Sequence, residues 1–513
     1  MDRSGRCVNF GNCTTANQKQ TIVMPAGLEM KCPECGRSLA EVTQAGKSGA
    51  VVAAPFVVAL GLVAASGWFL WNNARPKTGD SKNGMATSQP AVDTGGSGRP
   101  MLRLRGSNTI GEKLAPALAE AFLKSQGAKD VKVVRESPEV IRVVGDGKTI
   151  SIEARGTSTG FKDLLAGQTD IAMASRPAKP EESNSTTGDL TLPTAEHVVG
   201  LDGLAIIVNR NNPVETLTRE ELSKIFAGMT TDWSAVGGKA GPIAIYARDA
   251  KSGTFETIKS LVLATRDLAA GAQRFEDSSA LADKVAADPS GIGFVGLPYV
   301  GSTKALALSD KGSRALLPSR LTVATEDYLL SRRLFFYNSA NSTSADINRF
   351  VEFALSKEGQ DVVEKIGFVS QHVRTEQAAT AAVALDPLAP AEYKRITDVA
   401  ERLSLDCRFK PGSTSLDNKA AVDIPRLVTF LTELHYTGDD LFLLGFADST
   451  GDVATNVRLS KERATAVAEQ IERRGVKPGV VVGFGPAMPV ADNASADGRE
   501  RNRRVEVWVK KRK

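Results

Sequence analysis

An uncharged, largely apolar stretch at residues 48–74 divides this 513-residue chain into two unequal parts. Four of its five cysteines precede the stretch, and only Cys407 follows it. Everything after the stretch has the composition of folded domains and linkers. Because reduced cysteine clusters and extracytoplasmic domains belong to different redox compartments, a membrane crossing between them would allow one chain to carry both.

The apolar stretch predicts a transmembrane helix at residues 49–72. Such a segment can cross about 30 Å of hydrocarbon as a helix. Pro55 lies in its first turns, where a missing N–H costs least, and Trp68 and Trp71 lie at the far end, as interfacial aromatics do. A cleaved signal peptide needs a shorter basic leader than the segment found here, and a buried soluble helix is the other alternative. An uncleaved anchor is favoured, with the N-terminus in the cytoplasm and the later domains in the periplasm of a Gram-negative bacterium.

The cysteines before this span indicate a structural zinc site in a cytoplasmic module at residues 1–48. The predicted ligands are Cys7, Cys13, Cys32 and Cys35. A Cys-x2-Cys pair lets two thiolates hold one ion, and four thiolates complete a tetrahedral Zn²⁺ without an open position. The pattern resembles zinc ribbons, although the Cys-x5-Cys half is unusual. An iron centre or a redox pair is the alternative.

Composition and motifs favour a binding protein over an enzyme. The net charge of +5 is small for this length and does not indicate a nucleic-acid partner. The three histidines are far apart in sequence and have no motif partners. A Ser- and Thr-rich cleft could host phosphoryl chemistry, but the sequence has no metal cluster, general base or Walker-type lysine loop to support it.

A Gly-, Ser- and Pro-rich linker is predicted at residues 73–100, and an α/β domain at residues 101–375. The pattern of strand, small-residue loop and helix recurs three times in this domain. Each loop offers hydroxyls and N–H groups at the start of a helix, where an oxyanion is stabilised. Three such loops directed at one cleft, with an arginine among them, predict an anion site. The three loops are at residues 106–109, 156–160 and 248–254, and the arginine is Arg248.

These loops resemble those of the periplasmic phosphate-binding proteins of ABC transporters. The motifs that carry the resemblance are Gly-Ser-Asn-Thr at 106–109, Gly-Thr-Ser-Thr-Gly at 156–160, Asp-Ile-Ala-Met-Ala-Ser-Arg-Pro at 170–177, Ser-Gly-Thr at 252–254 and Gly-Ile-Gly-Phe-Val at 291–295. The resemblance implies a type II periplasmic-binding-protein fold, in which two α/β lobes close on phosphate. With the loops, it gives the predicted phosphate-binding residues as Ser107, Asn108, Thr109, Thr157, Ser158, Arg176, Arg248, Ser252, Gly253 and Thr254. Arg176 stands where well-known members have a proton-accepting carboxylate, which puts strict selectivity against sulfate in doubt.

A second linker, at residues 376–394, leads to a C-terminal domain at residues 395–513. Asp448, Asn456 and Arg463 flank a strand-to-helix turn, and a negative and a positive group there would suit a zwitterionic ligand. Asp448, Asn456, Leu-Ser-x-x-Arg-Ala at 459–464 and Asn-Arg-Arg-Val-Glu at 502–506 resemble the OmpA-like peptidoglycan-binding domain. The resemblance implies an α/β sandwich that binds the diaminopimelate of peptide stems through Asp448 and Arg463. Arg504 is a further predicted wall-binding residue.

The sequence therefore predicts a multidomain α/β protein, anchored in the inner membrane, that binds phosphate and peptidoglycan and acts in phosphate uptake or sensing. An ABC permease or a cytoplasmic protein are its possible partners. The alternative is a structural anchor between the inner membrane and peptidoglycan, with a cleft that has lost its ligand.

Overall fold

The computed structural model describes residues 3–7, 21–24, 30–32, 39–41, 100–250, 252–376, 389–410 and 413–512. The chain divides into two compact units, at residues 1–98 and 99–513. The predicted transmembrane segment at residues 49–72 lies outside the described residues. Within the described ranges, no helix is both long and apolar enough to cross a membrane.

The first unit contains a small antiparallel sheet. Its strands are β1 (Arg3–Cys7), β2 (Thr21–Met24) and β3 (Leu39–Glu41), with β1 in the centre. Cys7 ends β1 and Cys32 is buried. Cys13 and Cys35 lie outside the described residues, so the four-cysteine zinc site stays a prediction.

The second unit begins with a two-lobed α/β domain. Its strands are β4 (Leu102–Gly106), β5 (Lys132–Arg135), β6 (Val140–Gly145), β7 (Lys148–Ala154), β8 (Ile171–Ala174), β9 (Glu196–Val208), β10 (Thr216–Thr218), β11 (Ala244–Arg248), β12 (Gln273–Phe275), β13 (Gly291–Gly296), β14 (Lys304–Ala305), β15 (Ala307–Ser309) and β16 (Ser331–Tyr337). Its helices are α1 (Asn108–Gly111), α2 (Leu114–Ser125), α3 (Thr157–Leu165), α4 (Arg219–Phe226), α5 (Gly253–Ile258), α6 (Ser278–Ala287), α7 (Arg320–Ala324), α8 (Ala345–Leu355) and α9 (Lys357–Ile366).

An eleven-stranded sheet runs through both lobes, in the order β12-β11-β13-β9-β16-β8-β4-β7-β6-β5, with β14 paired to β9. Its long strand β9 pairs with β16 through residues 196–203 and with β13 through residues 204–208. One hydrophobic core lies on the β4 side, around Leu104, Phe122 and Phe350, and a second lies around Ile206, Phe226 and Phe294. The domain therefore has a first lobe and a second lobe, and β9 and β16 connect them.

The C-terminal domain is a mixed sheet covered by helices. Its strands are β17 (Thr375–Glu376), β18 (Ala400–Arg408), β19 (Leu441–Gly445), β20 (Val480–Gly483) and β21 (Arg504–Lys510), in the order β17-β18-β21-β19-β20. Its helices are α10 (Ala391–Val399), α11 (Asn418–Glu433), α12 (Val453–Glu472) and α13 (Ala496–Asn502).

Side chains on both faces of this sheet are buried, because successive strand residues point to opposite faces. Leu443 and Val507 join the core beneath α11 and α12, whereas Trp508 joins Tyr393 of α10 on the other face. Cys407 is fully buried in the first of these cores. The segment predicted as the second linker begins in β17, which pairs with β18, and ends within α10.

Candidate functional site

A cavity of about 270 Å³ lies between the two lobes. The predicted anion-site residues that line it are Thr109, Arg248, Ser252, Gly253 and Thr254. Acidic and basic residues that the sequence analysis did not select also line it, namely Glu112, Lys113, Asp202, Glu276 and Asp277. The fold therefore brings the first and third predicted loops together across the cleft.

The three predicted loops each lead directly into a helix, as the sequence pattern indicated. They precede α1, α3 and α5. Ser252 caps α5, since its Oγ accepts a hydrogen bond from the Thr254 amide at 3.2 Å. A Cβ added at Gly253 would lie 1.8 Å from the Thr109 Oγ1, so only glycine permits this approach of the second lobe to the first.

Arg248 is held in the cleft by its own lobe. Its Nε donates to the Phe275 carbonyl at 3.2 Å and its Nη2 to the Glu276 carbonyl at 2.7 Å. Its Nη1 donates to the hydroxyl of Ser278. These bonds fix the direction of the guanidinium, so an anion in the cavity would meet a charge that is already oriented.

Arg332 and Asp202 form an ion pair at the cleft that the sequence analysis missed. The Asp202 Oδ2 accepts from the Arg332 Nε at 3.1 Å and from its Nη2 at 2.8 Å. Arg332 also donates to the Thr109 Oγ1 at 2.9 Å and to the Gly253 carbonyl at 2.9 Å, and thus joins both lobes. The sequence signal that could have identified this pair is a charged residue within a largely apolar strand, Asp202 in β9 and Arg332 in β16.

Carboxylates make the electrostatics of this cavity mixed. Burial raises the pKa of Glu112 above its ordinary value, although nearby Arg248, Lys113 and Arg135 oppose the rise. Lys113 donates to the Tyr299 hydroxyl at 2.9 Å. A bound anion would therefore meet cations and hydroxyls together with several acidic groups.

The remaining predicted residues of the first two loops lie beside the cavity lining. Asn108 opens α1, and the preceding Ser107 is fully buried. The Ser107 Oγ has no hydrogen-bond partner among the residues that the structure describes. Thr157 is also buried, with its hydroxyl 3.2 Å from the Ser175 Oγ, and Ser158 is exposed.

Arg176 is not among the residues that line the cavity with Arg248, and its role in the anion site stays a prediction. Its Nη1 and Nη2 donate to the Glu182 carboxylate at 2.8 and 2.7 Å, and its guanidinium lies 5.0 Å from the centre of the Phe161 ring. The hydrogen bond with Glu182 raises the pKa of Arg176. The side chain is therefore committed to a local ion pair.

Asp448 and Arg463, the two predicted wall-binding residues of the C-terminal domain, lie near enough that Asp448 raises the pKa of Arg463. Arg463 is 3% exposed, and its Nε and Nη1 have no hydrogen-bond partner within the described part of the chain. Burial, together with a smaller contribution from nearby Arg503, lowers the pKa of Arg463 to about 10. A buried guanidinium in this state is suited to a carboxylate ligand, because the ligand would supply the missing acceptors.

The partner of Asp448 in this group is Arg503, which the sequence analysis missed. The Asp448 Oδ2 accepts from the Arg503 Nη1 at 3.0 Å, and its Oδ1 accepts from the Thr450 amide at 2.8 Å. Burial alone would raise the pKa of Asp448, but these hydrogen bonds lower it on balance. Asp448 therefore carries a negative charge at neutral pH.

Asn456 and Arg504 have structural contacts. The Asn456 Nδ2 donates to the Thr450 carbonyl at 3.0 Å and so supports the loop that carries Asp448. Arg504 is fully buried and pairs with Glu506 at 2.7 Å, so the prediction that it lines the wall-binding site is corrected. Its neighbour Arg503, which lies between α13 and β21, contacts Asp448 instead.

Two family models match the chain. The model described as a PBP superfamily domain matches residues 85–358, and the OmpA family model matches residues 408–503. Since the first match covers more than half of the chain, the protein belongs to the PBP superfamily. Both resemblances predicted from the sequence, to periplasmic binding proteins and to OmpA-like domains, are confirmed at this level.

Individual proteins are also similar to part of this chain. Protein SphX of Synechococcus elongatus is 31% identical over 273 residues, which are 51% of this chain and 80% of that protein. Phosphate-binding protein PstS of Staphylococcus saprophyticus is 28% identical over 284 residues, or 54% of this chain and 82% of that protein. An ABC-type phosphate transport receptor from Vibrio cholerae, a solved structure, is 26% identical, with a TM-score of 0.43, and the match covers 52% of this chain and 99% of the receptor.

Proposed function

We propose that the middle domain binds inorganic phosphate in the cleft between its lobes. The observation that carries the proposal is the shared cavity, where Thr109, Arg248 and the Ser252–Thr254 loop meet. Hydroxyls, backbone N–H groups and one oriented guanidinium form the donor set that a tetrahedral oxyanion requires. The names of the PstS relatives support phosphate as the ligand.

The C-terminal domain is proposed to bind peptidoglycan through Asp448 and Arg463. The unpaired nitrogens of Arg463 are available to a carboxylate, and Asp448 is available to an ammonium group. A ligand with both groups on one carbon, as in the free end of diaminopimelate, fits this charge pattern. Arg503 would exchange its contact with Asp448 for a contact with the ligand.

The same proposal includes the parts of the chain before residue 99. Residues 49–72 would anchor the protein in the inner membrane, and Cys7, Cys13, Cys32 and Cys35 would hold Zn²⁺ on the cytoplasmic side. Such a chain would keep a phosphate-binding domain between the membrane and the wall, where it serves phosphate uptake or sensing. It acts by binding, in partnership with a permease or with a protein that contacts the zinc module.

One observation favours the second candidate, a wall anchor whose cleft has lost its ligand. Four acidic residues, Glu112, Asp202, Glu276 and Asp277, are among those that line the cavity. Their negative charges oppose a doubly charged anion unless the cations and hydroxyls of the cleft outweigh them.

Isothermal titration calorimetry of the full chain with phosphate, sulfate and arsenate distinguishes the two candidates. Phosphate binding at one site per chain, lost in Arg248→Ala and retained in the surface variant Arg155→Ala, supports the proposal. Heat from sulfate as well would agree with the absence of a carboxylate at position 176. No heat from any of the three anions would overturn phosphate binding and favour the anchor.

A further inference from the structure

A buried ion cluster joins the C-terminal domain to the phosphate-binding-protein-like domain. At its centre is Asp327, which is 1% exposed and lies 2.8 Å from the Arg402 Nη1. Arg408 and Arg504 of the C-terminal domain lie 3.7 and 3.9 Å from the same carboxylate. Burial alone would raise the pKa of Asp327, but the surrounding arginines lower it well below its ordinary value. The ionised carboxylate of Asp327 therefore attracts the arginines of the C-terminal domain.

Residues 326–333, here termed the crossover segment, lead from the second lobe into β16. At one end of the segment Asp327 contacts the cluster, and at the other end the Arg333 Nη2 lies 2.7 Å from Asp417 of the C-terminal domain. Arg333 also contacts Glu326 at 2.9 Å. Both ends of the crossover segment are therefore held by the C-terminal domain through charge pairs.

The backbone between these two ends is held as well. Arg501 of α13 donates to the carbonyls of Tyr328 at 3.1 Å, Leu329 at 3.3 Å and Ser331 at 3.4 Å. A single guanidinium of the C-terminal domain thus fixes the path of the chain between the two lobes.

The opposite face of the same segment contacts the anion cleft. Arg332 lies between Ser331 and Arg333, and neighbouring strand residues point to opposite sides. Its guanidinium contacts Asp202, Thr109 and the Gly253 carbonyl, and thereby connects the first lobe to the second. The segment that the C-terminal domain holds is therefore the segment that positions the cleft-bridging arginine.

The C-terminal domain also contacts each lobe separately. Asn418 donates to the Thr191 carbonyl of the first lobe at 2.9 Å, and Arg426 donates to the Leu355 carbonyl at 3.0 Å. Arg408 donates to the Thr325 carbonyl of the second lobe at 2.8 Å. A change in the angle between the lobes cannot preserve all of these contacts, because they join one domain to both lobes.

We propose that docking of the C-terminal domain on the crossover segment positions Arg332 and thereby sets the affinity of the cleft for its anion. The proposal rests on the anion-binding function proposed above. Couplings between sites in one protein are typically 5- to 150-fold in affinity, and they are reciprocal. Anion binding would therefore change the equilibrium for docking of the C-terminal domain by the same factor.

Two variants weaken docking without substituting a residue that lines the cleft. Arg501→Ala removes the three bonds to the crossover segment. Asp417→Asn removes the charge pair with Arg333. It keeps the side-chain oxygen at position 417 that caps α11 by accepting a hydrogen bond from the Ala420 amide. Arg458→Ala is the matched control, since it breaks an exposed pair with Glu462 on the same domain.

Calorimetry of the full chain with inorganic phosphate measures the coupling. We expect Arg501→Ala and Asp417→Asn to change the phosphate Kd at least fivefold, and Arg458→Ala to leave it within twofold. If both docking variants also stay within twofold of the unmodified chain, the proposal is overturned.

Hydrogen exchange provides a second measurement that needs no anion, and it separates this proposal from the proposed function. If the unmodified chain binds no phosphate, the proposed function fails, but the effect of docking on the cleft can still be read. Amides of Ser331–Tyr337 and Gly253–Ile258 should exchange faster in Arg501→Ala than in Arg458→Ala. Equal exchange in these two segments would overturn the coupling.

Discussion

Two arginines, Arg248 in the interlobe cleft and Arg463 in the C-terminal domain, are prepared for anionic partners in different ways. Arg248 donates hydrogen bonds to three groups of its own lobe, and these bonds set its direction. Arg463 is almost fully buried, lies 5.6 Å from the centre of the Phe409 ring, and has two nitrogens without a partner among the described residues. One guanidinium is oriented by hydrogen bonds, and the other by packing.

This difference predicts that substitutions of the two arginines will affect the stability of the folded chain differently, although both weaken ligand binding. Bonds to Arg248 stabilise the folded chain whether or not an anion is present. The two Arg463 nitrogens without hydrogen-bond partners among the described residues cost free energy until a carboxylate binds, because a buried polar group without partners has lost its hydration. Substitution of Arg463 should therefore separate binding from stability, whereas substitution of Arg248 should lower both.

The largest effect is expected for Arg463→Ala. It should abolish co-sedimentation with peptidoglycan sacculi while leaving the melting temperature unchanged or higher, since it removes a buried unpaired charge. Arg458→Ala, on the same helix but exposed, is the control. If Arg463→Ala co-sediments with sacculi as well as the unmodified chain does, Arg463 packs in the core and does not bind peptidoglycan.

Arg248→Ala should weaken phosphate binding by about 2–5 kcal/mol, as truncation of a buried charge contact does. It should also lower the free energy of unfolding by roughly 1–3 kcal/mol, because three hydrogen bonds are lost. Calorimetry and urea unfolding measure the two effects. A large loss of affinity with unchanged stability would remove the contrast with Arg463.

Acid should weaken the junction between the domains through Glu326. Burial alone would raise the pKa of this carboxyl, but Arg333, Arg408 and Lys419 lower it to about 2. Since the folded pKa is below the unfolded value of about 4.5, the stabilisation is complete above about pH 4.5 and is lost as the pH falls towards 2. It amounts to at most about 3 kcal/mol.

Urea midpoints of the unmodified chain and Glu326→Gln, measured between pH 6 and 3, test the contribution of Glu326. The difference between the two proteins should shrink as the pH falls. A difference that is constant across this range would mean that Glu326 is not ionised preferentially in the folded chain.

Gly253→Ala should have a smaller effect on the cleft, about tenfold in phosphate affinity, because the added Cβ would overlap the Thr109 Oγ1 and separate the lobes. Small-angle scattering should show a more open domain. Gly271→Ala is the control, since no atom lies within 4 Å of the Cβ it would add. Equal phosphate affinities of Gly253→Ala and Gly271→Ala would show that the close approach of Gly253 to Thr109 does not contribute to binding.

The smallest effect is expected for Arg176→Ala, which should change phosphate affinity less than threefold. Arg176 pairs with Glu182 and does not line the cavity with Arg248. A loss comparable to that of Arg248→Ala would return Arg176 to the anion site.

The sequence was informative where local pattern determines structure. The loops before α1, α3 and α5 could be located from small residues followed by helical spacing, and Asp448 and Arg463 from their motif. Arg332, Asp202 and Arg503 were missed because their roles depend on contacts between residues far apart in the chain. Arg176 and Arg504 were assigned to sites by motif position, which could not show that the folded chain brings the carboxylates of Glu182 and Glu506 beside them.

The junction between the two domains was also beyond prediction from sequence. Its contacts pair the crossover segment with Arg402, Arg408 and Arg501, and neither domain pattern contains information about the other. The sequence instead predicted a second linker, which suggested independent domains. In the structure, β17 joins the C-terminal sheet before residues 377–388, and those residues lie outside the described part of the chain.

The central claim is that one chain holds phosphate and peptidoglycan at the same time. Its most direct test is to bind the full chain to purified sacculi, pellet the complex and measure labelled phosphate retained in the pellet, with Arg248→Ala as the control. We predict one phosphate per sedimented chain, and retention at background level with Arg248→Ala. A chain that sediments but retains no phosphate above that control would contradict the account.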